Sequence, residues 1–575
     1  MIEAASLLEK QPRHFLPEDF HVTDWDSLRP YFEELLARDI DIPERLQAWL
    51  RDVSELEAVV SEDACWRQIR MTCDTTNKEL EEAFTFFCME IQPRLQPFAF
   101  ELNKKLIASS AASGLDPDRY FTYLRSVRRS VELFREKNVP LAAELSVMQQ
   151  QYGMICGAMT ITVKDREYTL QQAAKFLEGP DRSLREEVFR KTAERRLKDR
   201  GRLDQLFDDL LVKRAQIALN AGFDNYRDYK FQELGRFDYG VEDCLEFQEG
   251  VRQYLVPLSR DILEHQKKRI GVGVLRPWDT EAEPEGTRPL EPFQTGSELV
   301  DKTVRCFRAL KPFFGDCIEV MHQMGRLDLD SRKGKAPGGY NCPLAETGVP
   351  FIFMNAAGQM RDVTTMVHEG GHAIQAFLTH GLELQAFKEY PMEIAEVASM
   401  GMELVSMDHW DLFFPDPKDL KRARLQQLER VITIFPWIAI IDRFQQWIYT
   451  NEGHSSQQRT LKWLDILEEF SPGVVDWAGM EEYRAASWQK QLHLYEVPFY
   501  YIEYGIAQLG AIALWKHYRE NREKALDQYM AALSLGYTKP LRSLYEAAGL
   551  SFDFSPDHIR QLADFVQQEI ETLRD

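Results

Sequence analysis

Apolar residues recur at helical spacing over most of this chain, and that period limits its possible folds more than any other feature. Stretches such as ELEEAFTFFCMEIQPRL and LREEVFRKTAERRLKDRGRLDQLFDDLLVKRAQIAL, between about Asp24 and Lys268, set apolar positions three and four residues apart in a charged background, as helices with one buried face require. The same period resumes at Arg361 and runs to the C-terminus. Strand signals are few. AMTITVKDREYTL (residues 158–170) flanks a Lys-Asp turn with β-branched residues, and FIFMN reads as a short strand entering the next helix. Between the helical blocks, GPDRSLREE predicts a turn and a helix start at Asp181 or Ser183. Gly271 to Gly296 reads as an extended connector or lid, and Ser331 to Gln359 is irregular apart from FIFMN. The expected fold is mainly α, with a soft boundary at 175–185 and no internal repeat.

A formal net charge of -22 over 575 residues argues against nucleic acid and anionic membrane, both of which need clustered cations. The eight cysteines (65, 73, 88, 156, 244, 306, 317 and 342) show no CxxC pair or short framework and are expected to be reduced thiols. MIEAASLLEKQPRHFLPEDF lacks the basic start and apolar run of a signal peptide. The longest apolar stretch, VITIFPWIAII, is about half a membrane span and contains Pro436, so a buried, kinked helix is expected there. No membrane partner and a cytoplasmic location follow as expectations.

Within the C-terminal helical block stands MVHEGGHAIQAF, in which Gly370 and Gly371 separate His368-Glu369 from His372. Histidines at i and i+4 project from one helix face and can share a zinc ion, while Glu369 sits about 100° round the wheel, free to handle water instead of metal. Val363, Val367, Ile374 and Leu378 form an apolar stripe, and Thr365, His368, His372, Gln375 and Thr379 form a polar stripe roughly opposite. Such a helix is expected to bury one side and line a cleft with the other. Two adjacent glycines each cost about 1 kcal/mol in a helix interior. They flank the apolar stripe, which predicts the close approach of another backbone, either the helix carrying the third ligand or the FIFMN strand.

Catalytic zinc needs a third protein ligand and one open position. PMEIAEVASMGMEL offers Glu393, Glu396 and Glu403, of which Glu396 and Glu403 lie two turns apart on one face among apolar neighbours. One of these would ligate and the other orient a ligand. Further along, Tyr501, Tyr504 and Gln508 share a helix face opposite Ile502, Ile506, Leu509 and Ala513, a pattern that suits phenolic donors facing a cleft or a core whose hydroxyls are satisfied.

HEGGH, followed 24 residues after its second histidine by Glu396 in EVASMGME, resembles the M3 family of zinc oligopeptidases, the oligoendopeptidase F and thimet oligopeptidase group. GPDRSLREEVF, FIFMNAAGQMRDVTTMVHEGGHA and HLYEVPFYYIEYGIAQLGA extend the likeness over about residues 180–520. The resemblance implies a large helical zincin (gluzincin) body split by a deep substrate channel, with a small β element beside the active site. It implies an N-terminal helical domain at 1–180 covering the channel and a catalytic domain at 181–575. It makes His368, His372 and Glu396 the ligands of one zinc ion per chain, Glu369 the general base, Tyr504 the oxyanion donor, with Tyr500 as an alternative, and His493 and Tyr501 substrate contacts. Where many members read HExGHAxH, this chain has Gln375, and no GAMEN-type aminopeptidase segment is present.

The reading is therefore a zinc metalloendopeptidase of short unstructured oligopeptides, with the oligomeric state left open. Two alternatives stand beside it: an M32-like metallocarboxypeptidase, which would need a cationic pocket for a free C-terminus, and a non-catalytic helical peptide-binding protein, which would have no use for Glu369.

Overall fold

A computed structural model describes residues 12–336 and 338–575. Most of the N-terminal stretch read for a signal peptide lies outside the described residues. The chain divides into two compact units, built from alternating segments. The first takes in the described residues up to Glu132, together with Leu290–Arg424 and Ala507–Phe552; the second comprises Leu133–Pro289, Leu425–Ile506 and Asp553–Asp575. These packing units interleave along the chain, whereas the division expected at residue 180 is a single cut.

In the first unit, the helix Trp25–Ala37 starts where Asp24 accepts from the backbone N–H of Ser27 at 2.8 Å, the side-chain cap a helix start needs. It packs with the long helix Pro43–Cys73, whose Leu46, Trp49, Leu50, Val53 and Leu56 are buried. A three-stranded sheet has β5 (Phe351–Ala356) at its centre, parallel to β3 (Leu327–Asp330) and antiparallel to β4 (Tyr340–Cys342). Phe351, Ile352, Phe353 and Met354 are all buried, so β5 is covered on both faces and reads as an apolar run instead of alternating. β3 and β4 have no comparable run, and only β5 was expected. Cys65 and Cys342 are disulfide-paired across Cα atoms 6.5 Å apart, which corrects the expectation of eight reduced thiols. The pairing spans 277 residues, and no local spacing announces it.

In the second unit, β1 (Thr160–Val163) and β2 (Arg166–Thr169) form the expected hairpin. Lys164 and Asp165 take positive φ (48° and 61°) at its two-residue turn, as a primed turn demands. Asp181 caps the helix Arg182–Lys198 through Leu184 N, settling the start predicted at 181 or 183. The connector at 271–296 holds one short helical turn, Pro277–Asp279, and Asp279 there is buried against Arg182 and Arg185. VITIFPWIAII lies inside the helix Pro417–Thr450, with Val431, Ile432, Phe435, Ile438 and Ile441 buried and Pro436 within it. Among the described residues no helix is long and apolar enough to cross a membrane.

Candidate active site

β5 feeds the helix Met360–Thr379 through Gly358, whose φ of 83° suits glycine. Asp362, in the first helical turn, accepts from the backbone N–H groups of Ala357 and Gln359 at 2.7 and 2.9 Å, closing a capping box at Gln359 and holding the loop from β5 against the helix start. Val363, Val367 and Ile374 are fully buried. His368 and His372 keep 23% and 17% of their side-chain surface open, but Gln375 and Thr379 are buried. Thr365 is likewise partly open, so the N-terminal part of the polar stripe, Thr365 with the two histidines, faces solvent and its C-terminal part does not.

The glycines explain how the second helix approaches. A Cβ on Gly371 would press on the backbone of Ala398 and come within 2.7 Å of Ser399 Cα. Both residues belong to the helix Met392–Val405, which carries Glu396. Gly370 meets side chains instead, 2.6 Å from the Phe307 ring. Close backbone approach is thus the property of Gly371, and the partner is the Glu396 helix, not the β5 strand.

That approach brings His368, His372 and Glu396 together, with one ligand atom from each inside a 4.8 Å group. Glu396 Oε2 lies 3.5 Å from His368 Nε2 and 3.9 Å from His372 Nε2; tetrahedral zinc, with bonds of about 2.0–2.2 Å, sets its ligand atoms about 3.3–3.5 Å apart. Two imidazoles and a carboxylate also form a suitable donor set for zinc. Glu403 Oε1 sits 2.7 Å from His368 Nδ1. A proton on Nδ1 directed at this carboxylate leaves the Nε2 lone pair for a metal. Ser399 Oγ donates to Glu396 Oε2 at 3.1 Å. Glu393 is buried, with its carbonyl accepting from Tyr545, and is not a member of the three-residue group.

Electrostatics separate the groups without any metal present. Burial alone would lower His368, but the Glu403 hydrogen bond and the charges of Glu403, Glu396 and Glu369 carry it up to about 9. Burial, aided by the charge of His368, pushes His372 down to about 3. Burial lifts Glu369 to about 7 against the pull of His368. A carboxyl held near neutrality is poised to take and return a proton. Asn341, on β4, donates to the Glu369 backbone carbonyl at 3.2 Å, tying the helix to the sheet edge.

The second unit holds a separate cluster. His493, Tyr500, Tyr501 and Tyr504 gather with ring centroids 4.8 Å (His493–Tyr501), 5.2 Å (Tyr500–Tyr504), 5.5 Å (Tyr501–Tyr504) and 5.8 Å (His493–Tyr504) apart. Tyr501 and Tyr504 are half-buried, while Ile502 and Ile506 are buried on the other face of the helix Tyr501–Glu520. Trp437 Nε1 donates to Gln491 Oε1 at 2.9 Å, which orients that amide so its Nε2 faces His493 Nδ1 at 2.7 Å. His493 Nδ1 is then an acceptor and its proton sits on Nε2. Burial holds His493 down at about 4, so near pH 7 the neutral ring offers one N–H donor.

Four supporting residues escaped the sequence reading: Asn341, Ser399, Arg214 and Arg236. Ser399, three residues after Glu396, could have been found as a helical neighbour. The others act across the fold. Fully buried Arg214 donates to the carbonyls of Leu494 (3.0 Å) and Tyr495, and Arg236 to that of Phe499.

Residues 175–563 match the sequence profile described as Peptidase family M3, and residues 15–134 match that of the Peptidase M3 N-terminal domain. An oligoendopeptidase F homolog of Borreliella burgdorferi is 21% identical over 543 residues, covering 89% of this chain and 88% of the relative. Oligopeptidase PepF of Bacillus subtilis is 23% identical over 43% of this chain and 37% of its own length. Among solved structures, Pz peptidase A with an inhibitor superposes with a TM-score of 0.89 at 25% identity, covering 96% of this chain and 99% of that one.

Proposed function

The chain belongs to peptidase family M3 and is a metalloendopeptidase of oligopeptides; we propose that His368, His372 and Glu396 hold one zinc ion per chain, with Glu369 as general base. The observation that carries this reading is the convergence of the three donor groups, with Glu369 beside them and outside the ligand set. When bound, zinc supplies Lewis acidity, lowering the pKa of water toward about 7 and polarising a scissile carbonyl. Glu369 takes a proton from the attacking water and returns it to the leaving amine. Glu403 keeps His368 in the ligating tautomer. Tyr504 donates to the oxyanion, and His493 Nε2–H and the Tyr501 hydroxyl contact the substrate.

The substrates are short unstructured peptides, selected by length, with the N-terminal helical domain at 1–180 as the proposed cover and 181–575 as the catalytic domain. We place the protein in the cytoplasm, without nucleic-acid or membrane partners. The family match favours this reading over an M32-like carboxypeptidase, and Glu369 favours it over a peptide-binding protein. Cleavage mapping on peptides of graded length blocked at both termini, combined with metal analysis, tests it. Internal cuts with one zinc per chain are expected; hydrolysis confined to free C-termini would overturn the endopeptidase assignment.

A further inference from the structure

The ring cluster of the second unit stands on a residue in an unusual backbone state. Phe499 has a φ of 66°, left-handed and therefore strained for a bulky side chain. It immediately precedes Tyr500 and the helix that carries Tyr501 and Tyr504. Strain of this kind persists only where the surroundings over-determine it, and here both backbone polar groups of Phe499 are held by buried side chains from elsewhere in the sequence. Its N–H donates to Gln445 Oε1 at 2.6 Å, and its carbonyl accepts from Arg236. Gln445 is 0% exposed and Arg236 6%.

Arg236 is itself fixed. It donates to Glu503 Oε1 at 3.0 Å and lies over the rings of Phe231 (4.5 Å) and Tyr239 (5.4 Å). Phe231 and Tyr449 also pack on the Phe499 ring, at centroid distances of 5.5 and 5.3 Å. Tyr449 accepts from Arg214 at 2.7 Å, and the same guanidinium holds the carbonyls of Leu494 and Tyr495, immediately after His493. Both ends of the segment from His493 to Phe499 are thus pinned by buried arginines. Gln445 Nε2 has no hydrogen-bond partner among the described residues, so the part of this amide the fold uses is its oxygen, spent on Phe499.

We propose that Gln445 and Arg236 are positioning residues for the reaction: by gripping the two backbone groups of Phe499 they hold the left-handed turn that aims the Tyr504 hydroxyl. This rests on the assignment of Tyr504 as oxyanion donor. An alternative in which the same contacts only stabilise the fold predicts losses that do not depend on Tyr504.

The test uses the full chain in its zinc form. Gln445→Met keeps the side-chain length and removes the acceptor; kcat is expected to fall about 10- to 100-fold, as for a slightly misplaced group, with KM and zinc content unchanged. In a Tyr504→Phe background the same substitution is expected to cost less than about 3-fold more, because the two share one pathway. Gln445→Glu restores an acceptor and is expected to recover most of kcat. A ¹⁹F spectrum of 3-fluorotyrosine placed at position 504 is expected to shift in Gln445→Met and return in Gln445→Glu. An unshifted spectrum, or an equal loss of kcat with and without Tyr504, overturns the proposal. A shifted spectrum in a protein whose kcat is indifferent to Tyr504→Phe overturns the oxyanion assignment, and with it the role in the reaction, while the grip on the placement of Tyr504 stands. Should Gln445→Met yield no folded protein, Arg236→Lys provides the same comparison, and unchanged kcat and spectrum there overturn the proposal.

Discussion

The metal cluster and the ring cluster are built by opposite strategies. The first is charged and assembled from two regular helices, Met360–Thr379 and Met392–Val405, brought close at Gly371. The second is neutral near pH 7 and joins His493 to the helix Tyr501–Glu520 through an irregular turn at Phe499, whose shape comes from buried groups more than fifty residues away along the chain. Periodic elements place ligands by their own geometry, so the metal cluster needs only one close approach. A turn has no such period and borrows its geometry from whatever grips it.

Three substitutions probe that contrast. The largest effect is expected from Tyr504→Phe. Loss of one oxyanion donor lowers kcat by about 10²- to 10³-fold, with zinc content unchanged, as read by steady-state kinetics on a blocked peptide. An unaltered kcat would separate the ring cluster from the chemistry. Next is Gly371→Ala, in which the new Cβ meets backbone on the neighbouring helix. Overpacking of about 1–3 kcal/mol outweighs the helix-propensity gain of about 1 kcal/mol, so the melting temperature falls and zinc is lost more readily to a chelator. A higher melting temperature with unchanged zinc retention would show that the helices do not need this approach.

The smallest effect concerns Asp442, a buried carboxyl of the second unit that accepts from Gln248 at 2.5 Å. Burial raises it from 3.8 to about 6, against the pull of Arg236. Between about pH 4 and pH 6 the folded state therefore holds a proton that the unfolded chain has released, and this contribution to stability declines as pH rises. Asp442→Asn is expected to flatten the fall in melting temperature across that window. An identical pH profile in both proteins would contradict it.

The same contrast decides what could be read from the sequence. His368, His372 and the Glu396–Glu403 pair follow helical spacing, and the hairpin at 160–169 and the cap at Asp181 follow turn and cap chemistry. Each is local. Residue types alone left Glu396 and Glu403 interchangeable, and resemblance chose between them. The strands β3 and β4 are three or four residues long and gain their form by pairing with β5, so neither carries a signal of its own. The Cys65–Cys342 pair and the grips of Arg214 and Arg236 join residues 263 to 281 positions apart. Nothing in the local pattern around Phe499 reports its left-handed backbone, since phenylalanine is a poor candidate for that conformation.

The central claim is that Glu369 moves protons while its neighbours hold the metal. Glu369→Gln keeps the size of the side chain and removes its basicity. Zinc content measured beside the rate of cleavage of a doubly blocked peptide tests the claim most directly. The account predicts one zinc per chain and a rate reduced by about 10²- to 10⁴-fold, the range for a lost general base. Cleavage at the wild-type rate by the zinc-loaded variant would contradict it.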